Sequence, residues 1–231
     1  MADGVERRAF LGVAGAAAAA GLAAGTASAQ QATGKGLKIV GIACSPRKGK
    51  STAAAVTACL QAAKEAAPDV DVELIELADL SIPGQLAAGQ PLLPGQKDDF
   101  PQLMPKLADP RVAAIVIGSP VYFSNMTSLC KAFLDRCIAF RKQGFALSGK
   151  VAGIVAVGGA RNGGQELTVQ SVQAALLSQE MVVVGTSRPT GRIGATLWSK
   201  KGDITGDEFG LTTAKNLGHR VAQVALRMAR A

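Results

Sequence analysis

Apolar and polar positions change period repeatedly between residues 37 and 229. Residues 37–43 (LKIVGIA), 112–118 (VAAIVIG) and 151–157 (VAGIVAV) are short apolar runs bounded by turn residues. Such runs predict strands buried on both faces. Residues 70–77 (VDVELIEL) alternate apolar with polar and predict a half-buried strand. Residues 181–185 predict a fifth. Between them, residues 51–66, 128–142, 165–178 and 209–229 place Ala, Leu, Val and Phe at helical spacing. Residues 100–108 predict a shorter helix. Residues 78–99 hold three Pro and three Gly and read as a long connection, and the Gly-rich stretch 186–207 is expected to be irregular.

Five short strands alternating with helices predict an α/β fold: a doubly wound parallel sheet with helices on both faces and right-handed crossovers. In such sheets the ligand sits outside the carboxyl ends of the strands, at the topological switch point. The loops after strands one, three and four therefore carry the candidate chemistry.

The first loop reads Cys44-Ser45-Pro46-Arg47-Lys48-Gly49-Lys50-Ser51-Thr52. Hydroxyls, cations and a Gly turn open a helix, where free N–H groups and the helix dipole favour an anion. Ser45, Ser51 and Thr52 are candidate phosphate donors, and Arg47 a candidate clamp. The loop is one residue short of the nucleotide-binding GxxxxGK[ST] pattern, because Cys44 stands at the first Gly. The third strand ends Ile117-Gly118-Ser119-Pro120, without an acidic residue for magnesium, so an ATPase or GTPase is not the reading taken. The second loop is Gly118-Ser119-Pro120-Val121-Tyr122-Phe123-Ser124-Asn125-Met126, with the only tyrosine of the chain. The third runs from Gly158 to Glu166 (GGARNGGQE), and its four glycines permit close approach of backbone to a flat ligand.

The pair SPR after strand one and GSPVYF after strand three resembles the NAD(P)H-dependent FMN reductases and the iron–sulfur flavoproteins. The ending Gly194-Ala195-Thr196-Leu197-Trp198, then Gly202-Asp203 and the last helix, is similar to the same group. The resemblance runs from Lys38 to about Ala229. It implies a flavodoxin-like five-stranded sheet of order 2-1-3-4-5 and FMN as cofactor. It further implies that Pro120, Val121, Tyr122, Phe123 and Asn125 pack on the isoalloxazine ring. Gly158, Gly159, Arg161 and Gly163 would meet its polar edge, where backbone N–H groups helped by Arg161 stabilise negative charge. Flavin reductases of this kind need no dedicated acid–base residue, so no catalytic residue is named. Members are typically homodimers or homotetramers with FMN near an interface, and commonly take hydride from NADPH or NADH.

The chain departs from the iron–sulfur branch. Residues 82–100, where the compact cysteine motif would lie, contain no cysteine, and such clusters require thiolates. No iron–sulfur cluster and no other metal site is expected. Cys44, Cys59, Cys130 and Cys137 are expected to be free core thiols. Cys130 and Cys137, seven residues apart on one helix, would be separated by about 10 Å, beyond disulfide reach. His219, the single histidine, reads as a surface or packing residue.

Residues 1–29 are read apart from the fold. Arg7-Arg8 followed by Phe10-Leu11 resembles a twin-arginine export signal. An Ala/Gly-rich stretch follows from Val13 to Thr26, too short and weakly apolar for a membrane span, and then Ala27-Ser28-Ala29 as a cleavage pattern. This implies a single domain over residues 30–231, exported already folded to the periplasm with its cofactor bound, and without a stable membrane span after cleavage. Nicotinamide donors are not expected there, and no GxGxxG follows a strand, so the donor stays open. The formal charge of +8 survives removal of the leader, whose own charges cancel. Scattered basic residues and 4% aromatics argue against nucleic acid as a partner. The function expected is an FMN-dependent oxidoreductase that reduces a quinone-like or other small acceptor. The alternative is a non-enzymatic electron carrier of flavodoxin type, against which the basic charge tilts.

Overall fold

A computed structural model describes residues 36–230. The expected leader, residues 1–29, lies outside them. β1 (Lys38–Ala43) leads into α1 (Ser51–Ala66), then β2 (Asp71–Glu76). After a long connection come α2 (Met104–Ala108), β3 (Val112–Pro120), α3 (Ser128–Arg136), α4 (Ile138–Lys142), β4 (Val151–Gly158) and α5 (Gln165–Leu177). β5 (Val182–Val183), β6 (Ala195–Trp198) and α6 (Glu208–Met228) close the chain. The strands pair in parallel in the order β2-β1-β3-β4-β5, the order of the expected flavodoxin-like fold.

Alternating strand positions feed two cores. On one face Val40, Ile42, Ile115, Ile117 and Ile154 meet α3, α4 and α5 through Phe133, Phe140 and Val169. On the other, Ile39, Ala114, Val116 and Val155 meet α1 and α6 through Val56, Leu60, Leu217 and Val221. The second layer sits close because strands and helices lack side chains where they cross. A Cβ on Gly118 would stand 2.3 Å from Val56, and one on Gly218 of α6 would stand 2.0 Å from the Cys59 carbonyl of α1. All four cysteines are buried and unpaired, as expected for core thiols.

Four stretches differ from the sequence expectation. The fifth strand is two residues long, and the supposedly irregular stretch 186–207 returns as β6, which pairs in parallel with the carboxyl half of β4, Val155–Gly158. β4 is thus flanked by two short strands in one column. Between them Thr186 N–H bonds back to the Arg192 carbonyl (2.8 Å) and closes the intervening loop. The single helix expected over 128–142 breaks at Cys137, whose N–H is shared between the Phe133 and Leu134 carbonyls, the tightening common at a helix end. The stretch 100–108 opens as a 3₁₀ turn, Phe100–Leu103, before α2.

The long connection is held rather than loose. Arg136 of α3 makes a two-pronged ion pair with Asp98 (2.8 Å each) and lies 4.7 Å over the Phe100 ring. This guanidinium holds the Asp98 carboxyl below its usual range. No helix among the described residues is long and apolar enough to cross a membrane.

Candidate functional site

The three loops singled out by their residues emerge at the carboxyl ends of β1, β3 and β4 and are tied to one another. Cys44 N–H donates to the Gly118 carbonyl (2.8 Å), and Val121 N–H to the Val157 carbonyl (2.9 Å). The Thr127 hydroxyl caps α3 by accepting from Cys130 N–H (3.1 Å) and donates across the fold to the Cys44 carbonyl (2.8 Å). Thr127 N–H in turn donates to the buried Ser119 hydroxyl (3.2 Å). Thr127 was not among the expected site residues. A Thr before a helical pattern is a legible cap, but its link to the first loop is tertiary and leaves no local signal.

The first loop forms an open cradle. Ser45, Ser51 and Thr52 are buried, at 3%, 4% and 1% exposure. α1 begins after Lys50 with no side-chain cap and no acidic residue in its first turn, so the helix end is left for an anion. Ser45 also shapes the turn, since its hydroxyl accepts from Arg47 N–H (3.1 Å). The loop is guyed from β2: Glu76 accepts Gly49 N–H (2.7 Å), and Lys48 pairs with Asp79, which raises the lysine's pKa. Arg47 has no carboxylate within ion-pair distance among the described residues and is exposed.

The second loop is a tight hairpin. Tyr122 and Asn125 exchange both backbone hydrogen bonds (2.8 and 3.0 Å) around Phe123 and Ser124. Both central residues have positive φ, 51° and 60°, the sign pattern of a type I′ turn, normally given to Asn or Gly. A Phe in that conformation is strained, and its side chain is fully exposed, at 104%. Pro120 is buried beneath, Val121 half-buried, and Tyr122 stands 47% exposed.

The third loop leans against this hairpin. Gly164 has φ +99°, and a Cβ there would lie 2.6 Å from the Ser124 Cα. Gly158 is buried, and Gly159 and Gly163 are exposed. The buried Gln165 braces the loop: its amide donates to the carbonyls of Ala160 (2.7 Å) and Leu197 (3.2 Å), and its carbonyl oxygen accepts Gly163 N–H (2.8 Å). Gly163 N–H is therefore committed within the protein. Arg161 turns towards α6, pairing with the buried Asp207 (2.7 Å) and lying 5.9 Å over Trp198. Asp207 and Gln165 also escaped the sequence reading, because each gathers partners distant along the chain.

This geometry agrees with what the chain is similar to. A profile built on the NADPH-dependent FMN reductases matches residues 37–191. The chain belongs to that FMN reductase family. An iron–sulfur flavoprotein of Methanocaldococcus jannaschii is 38% identical over 192 residues, 81% of this chain and 97% of that protein. An NAD(P)H dehydrogenase (quinone) of Chromohalobacter salexigens is 31% identical, over 68% of this chain and 83% of that protein. Among solved structures, a WrbA-like flavodoxin from Agrobacterium tumefaciens superposes with a TM-score of 0.57 at 20% identity, covering 84% of this chain and 98% of that one. That likeness concerns the fold.

The donor set of this FMN reductase relative does not fit an iron–sulfur cluster. The side chains of Cys44, Cys130 and Cys137 are buried in one apolar core. Burial raises the thiol of Cys44 well above its ordinary value and pushes that of Cys59 up to about 12, which disfavours thiolates. Among the described residues no three His, Cys, Asp or Glu side chains group to hold a metal ion. FMN is a different matter: an uncapped helix end lined by buried hydroxyls fits its phosphate.

Proposed function

We propose that this chain is an FMN-dependent oxidoreductase that reduces a quinone-like or other small acceptor. One observation carries the reading. The open α1 end, the exposed Tyr122–Phe123 hairpin and the glycine loop after β4 are hydrogen-bonded or packed together at one end of the sheet.

The phosphate would be held by the Ser51 and Thr52 hydroxyls and the free N–H groups of the first turn of α1. Ser45 would shape the turn around it, and Arg47 would close from the solvent side. Pro120, Val121, Tyr122, Phe123 and Asn125 would flank the ring. The backbone of Gly158, Gly159 and the residues beyond would present N–H dipoles to its polar edge, where negative charge develops on reduction. Arg161 acts there indirectly, through its hold on Asp207. FMN held there would supply the hydride and electron-transfer chemistry. The protein positions it and keeps one side open.

NADPH or NADH is the donor in the family's cytoplasmic setting. The Arg7-Arg8 leader supports export of the folded protein to the periplasm, and there the donor would be a different one. Assembly as a homodimer or homotetramer belongs to the same reading. The test is the absorption spectrum of the purified protein without oxygen. Bands near ~370 and ~450 nm, a property of oxidised flavin, should be present and bleach with NADPH or, for another donor, with dithionite. Turnover of a small quinone then separates an enzyme from an electron carrier. Protein that is colourless and cannot be reloaded with FMN overturns the proposal.

A further inference from the structure

The cations of this chain are spread along the sequence but not over the surface. Residues 181–230 hold eight Lys and Arg against three Asp and Glu, a surplus of five out of the formal +8. One of those three, Asp207, is buried and committed to Arg161. From Phe209 to Arg230, nearly all of α6, there is no carboxylate.

α6 and α1 make the helix layer on one face of the sheet, pressed together where Gly218 meets the Cys59 carbonyl. Leu217, Val221 and Ala225 of α6 turn inward. Positions 212, 215, 219, 223 and 227, three or four apart, therefore run as a ridge along its outer side. Lys215 and Arg227 on the ridge are exposed, and Arg220 beside it is half-buried.

The loop 186–192 adds two more cations. The Ser187 hydroxyl donates to the Asn216 carbonyl (3.2 Å), and the Asn216 side-chain amide donates to the Thr190 hydroxyl (3.2 Å). This brings the exposed Arg188 and Arg192 to the flank of α6, with the Arg192 guanidinium 5.6 Å over the Phe209 ring. None of these five cations pairs with a carboxylate among the described residues. The opposite layer differs: there Lys131 pairs with Asp135, and Arg136 with Asp98.

A surface of one sign attracts a surface of the other, and shape decides which. α6 has 21 residues, about 32 Å of helix, so its cations form a straight row rather than the rim of a pocket. A protein interface keeps lysine off its centre and places aromatic anchors there. Here the middle of the row is Lys215, His219 and Gln223. The exposed apolar groups, Ile193 (40%) and Phe209 (45%), stand beside Arg192 at one end. Such mixing of cations with apolar side chains suits lipid headgroups.

We propose that the outer side of α6, with the adjoining loop 186–192, docks on an anionic phospholipid surface. The cations lie at headgroup depth, and Phe209 and Ile193 enter shallowly. The docking is peripheral and needs no flavin, so protein that takes up no FMN tests it equally well.

The full chain is sedimented with vesicles of phosphatidylcholine alone, or with about 30% phosphatidylglycerol, in about 20 mM salt, where screening is weak. Binding to the neutral vesicles, including any through residues 1–29, is the baseline. The anionic vesicles should bind at least about 100-fold more, and 1 M salt, with a screening length of about 3 Å, should remove the gain. Each cation near such a surface is worth about fivefold. Lys215→Gln with Arg227→Gln should therefore weaken anionic-vesicle binding by about 25-fold. Lys97, next to the Asp98 that pairs with Arg136, and Lys142 of α4 are exposed cations on the opposite side. Lys97→Gln with Lys142→Gln removes the same charge and should cost no more than about threefold. Circular dichroism checks the fold of both pairs. Equal losses from the two pairs mean attraction by net charge alone and overturn the proposal, as does no gain over the baseline. Poly-L-glutamate and a DNA duplex are offered in parallel. If either binds through Lys215 and Arg227 while the anionic vesicles do not, the face serves an acidic protein or a nucleic acid, and the proposal is again overturned.

Discussion

The loop after β1 and the loop after β3 are built in opposite ways. The first hides its hydroxyls: Ser45, Ser51 and Thr52 are all under 5% exposed, and its outer rim is guyed to Glu76 and Asp79 of the neighbouring β2 side. The second shows its aromatics. Phe123 stands at 104% exposure on a turn of positive φ, beside a Tyr122 at 47%. A cradle assembled before the ligand arrives spends little ordering entropy on binding. A strained, exposed hairpin is a typical place for contact with a reacting partner. On the proposed reading the pair divides the labour: the first loop would be the anchor, and the second the working surface.

The sharpest way to break that division is to put a carboxylate where the phosphate belongs. Ser51→Asp places negative charge at the opening of α1, which has no acidic residue in its first turn. FMN affinity should fall at least about 100-fold, roughly 3 kcal/mol, as an anion is expelled from a charge-selective site. Riboflavin, which lacks the phosphate, should lose no more than about threefold. Flavin fluorescence titrations of both ligands measure this. Equal losses would mean that α1 is not the anchor and that the variant has merely damaged the fold.

A smaller effect should follow from disturbing the working surface without touching the anchor. Gly164→Ala drives a methyl to 2.6 Å from the Ser124 Cα at a position with φ +99°, so the hairpin must move. Stability should drop by about 1–3 kcal/mol, the usual cost of overpacking, as read from urea denaturation. FMN and riboflavin should weaken by the same factor, the opposite of the Ser51→Asp pattern.

Both variants probe features that the sequence exposes unequally. The open start of α1 was legible because its signal is local: hydroxyls, cations and Gly49 sit just before a helical pattern, and a parallel sheet brings that loop to the switch point. The loop after β3 was legible as a candidate ligand loop, but its strain was not. Phe123-Ser124 is a poor I′ turn by composition, and only the Tyr122–Asn125 backbone bonds enforce it. β6 was missed because four residues, ATLW, within a Gly-rich stretch carry too little periodicity. It forms because the edge of β4 from Val155 to Gly158 needs a partner. The break at Cys137 and the hubs at Thr127, Gln165 and Asp207 were invisible for a related reason. The three hubs gather partners from other segments of the chain, and the break is a shift of one N–H between neighbouring carbonyls that leaves no mark in the residue pattern.

Strain at Phe123 predicts a gain on its removal. Phe123→Gly lets the turn keep its left-handed dihedrals without a Cβ penalty, and little packing is lost from a fully exposed ring. The flavin-free protein should be stabilised by about 1 kcal/mol, the order of such relief less the entropy Gly restores to the unfolded chain. Acceptor turnover should fall at the same time if the ring serves the reaction. A variant neither more stable in thermal melts nor slower in turnover would remove the functional account of the strain.

The smallest effect belongs to the one exposed element of the anchor. Arg47 is solvated and carries no ion pair among the described residues, so its attraction to a phosphate is largely shared with water. Arg47→Ala should weaken FMN by only about threefold to tenfold, the worth of a surface charge interaction. Raising the salt to 1 M should erase most of that difference, because screening then acts within about 3 Å. The deficit of Ser51→Asp should resist the same salt, since the buried helix end is poorly screened. If instead Arg47→Ala costs as much as Ser51→Asp, and salt abolishes both deficits, the anchor is a surface cation rather than a buried helix end, and the contrast between the two loops fails at its root.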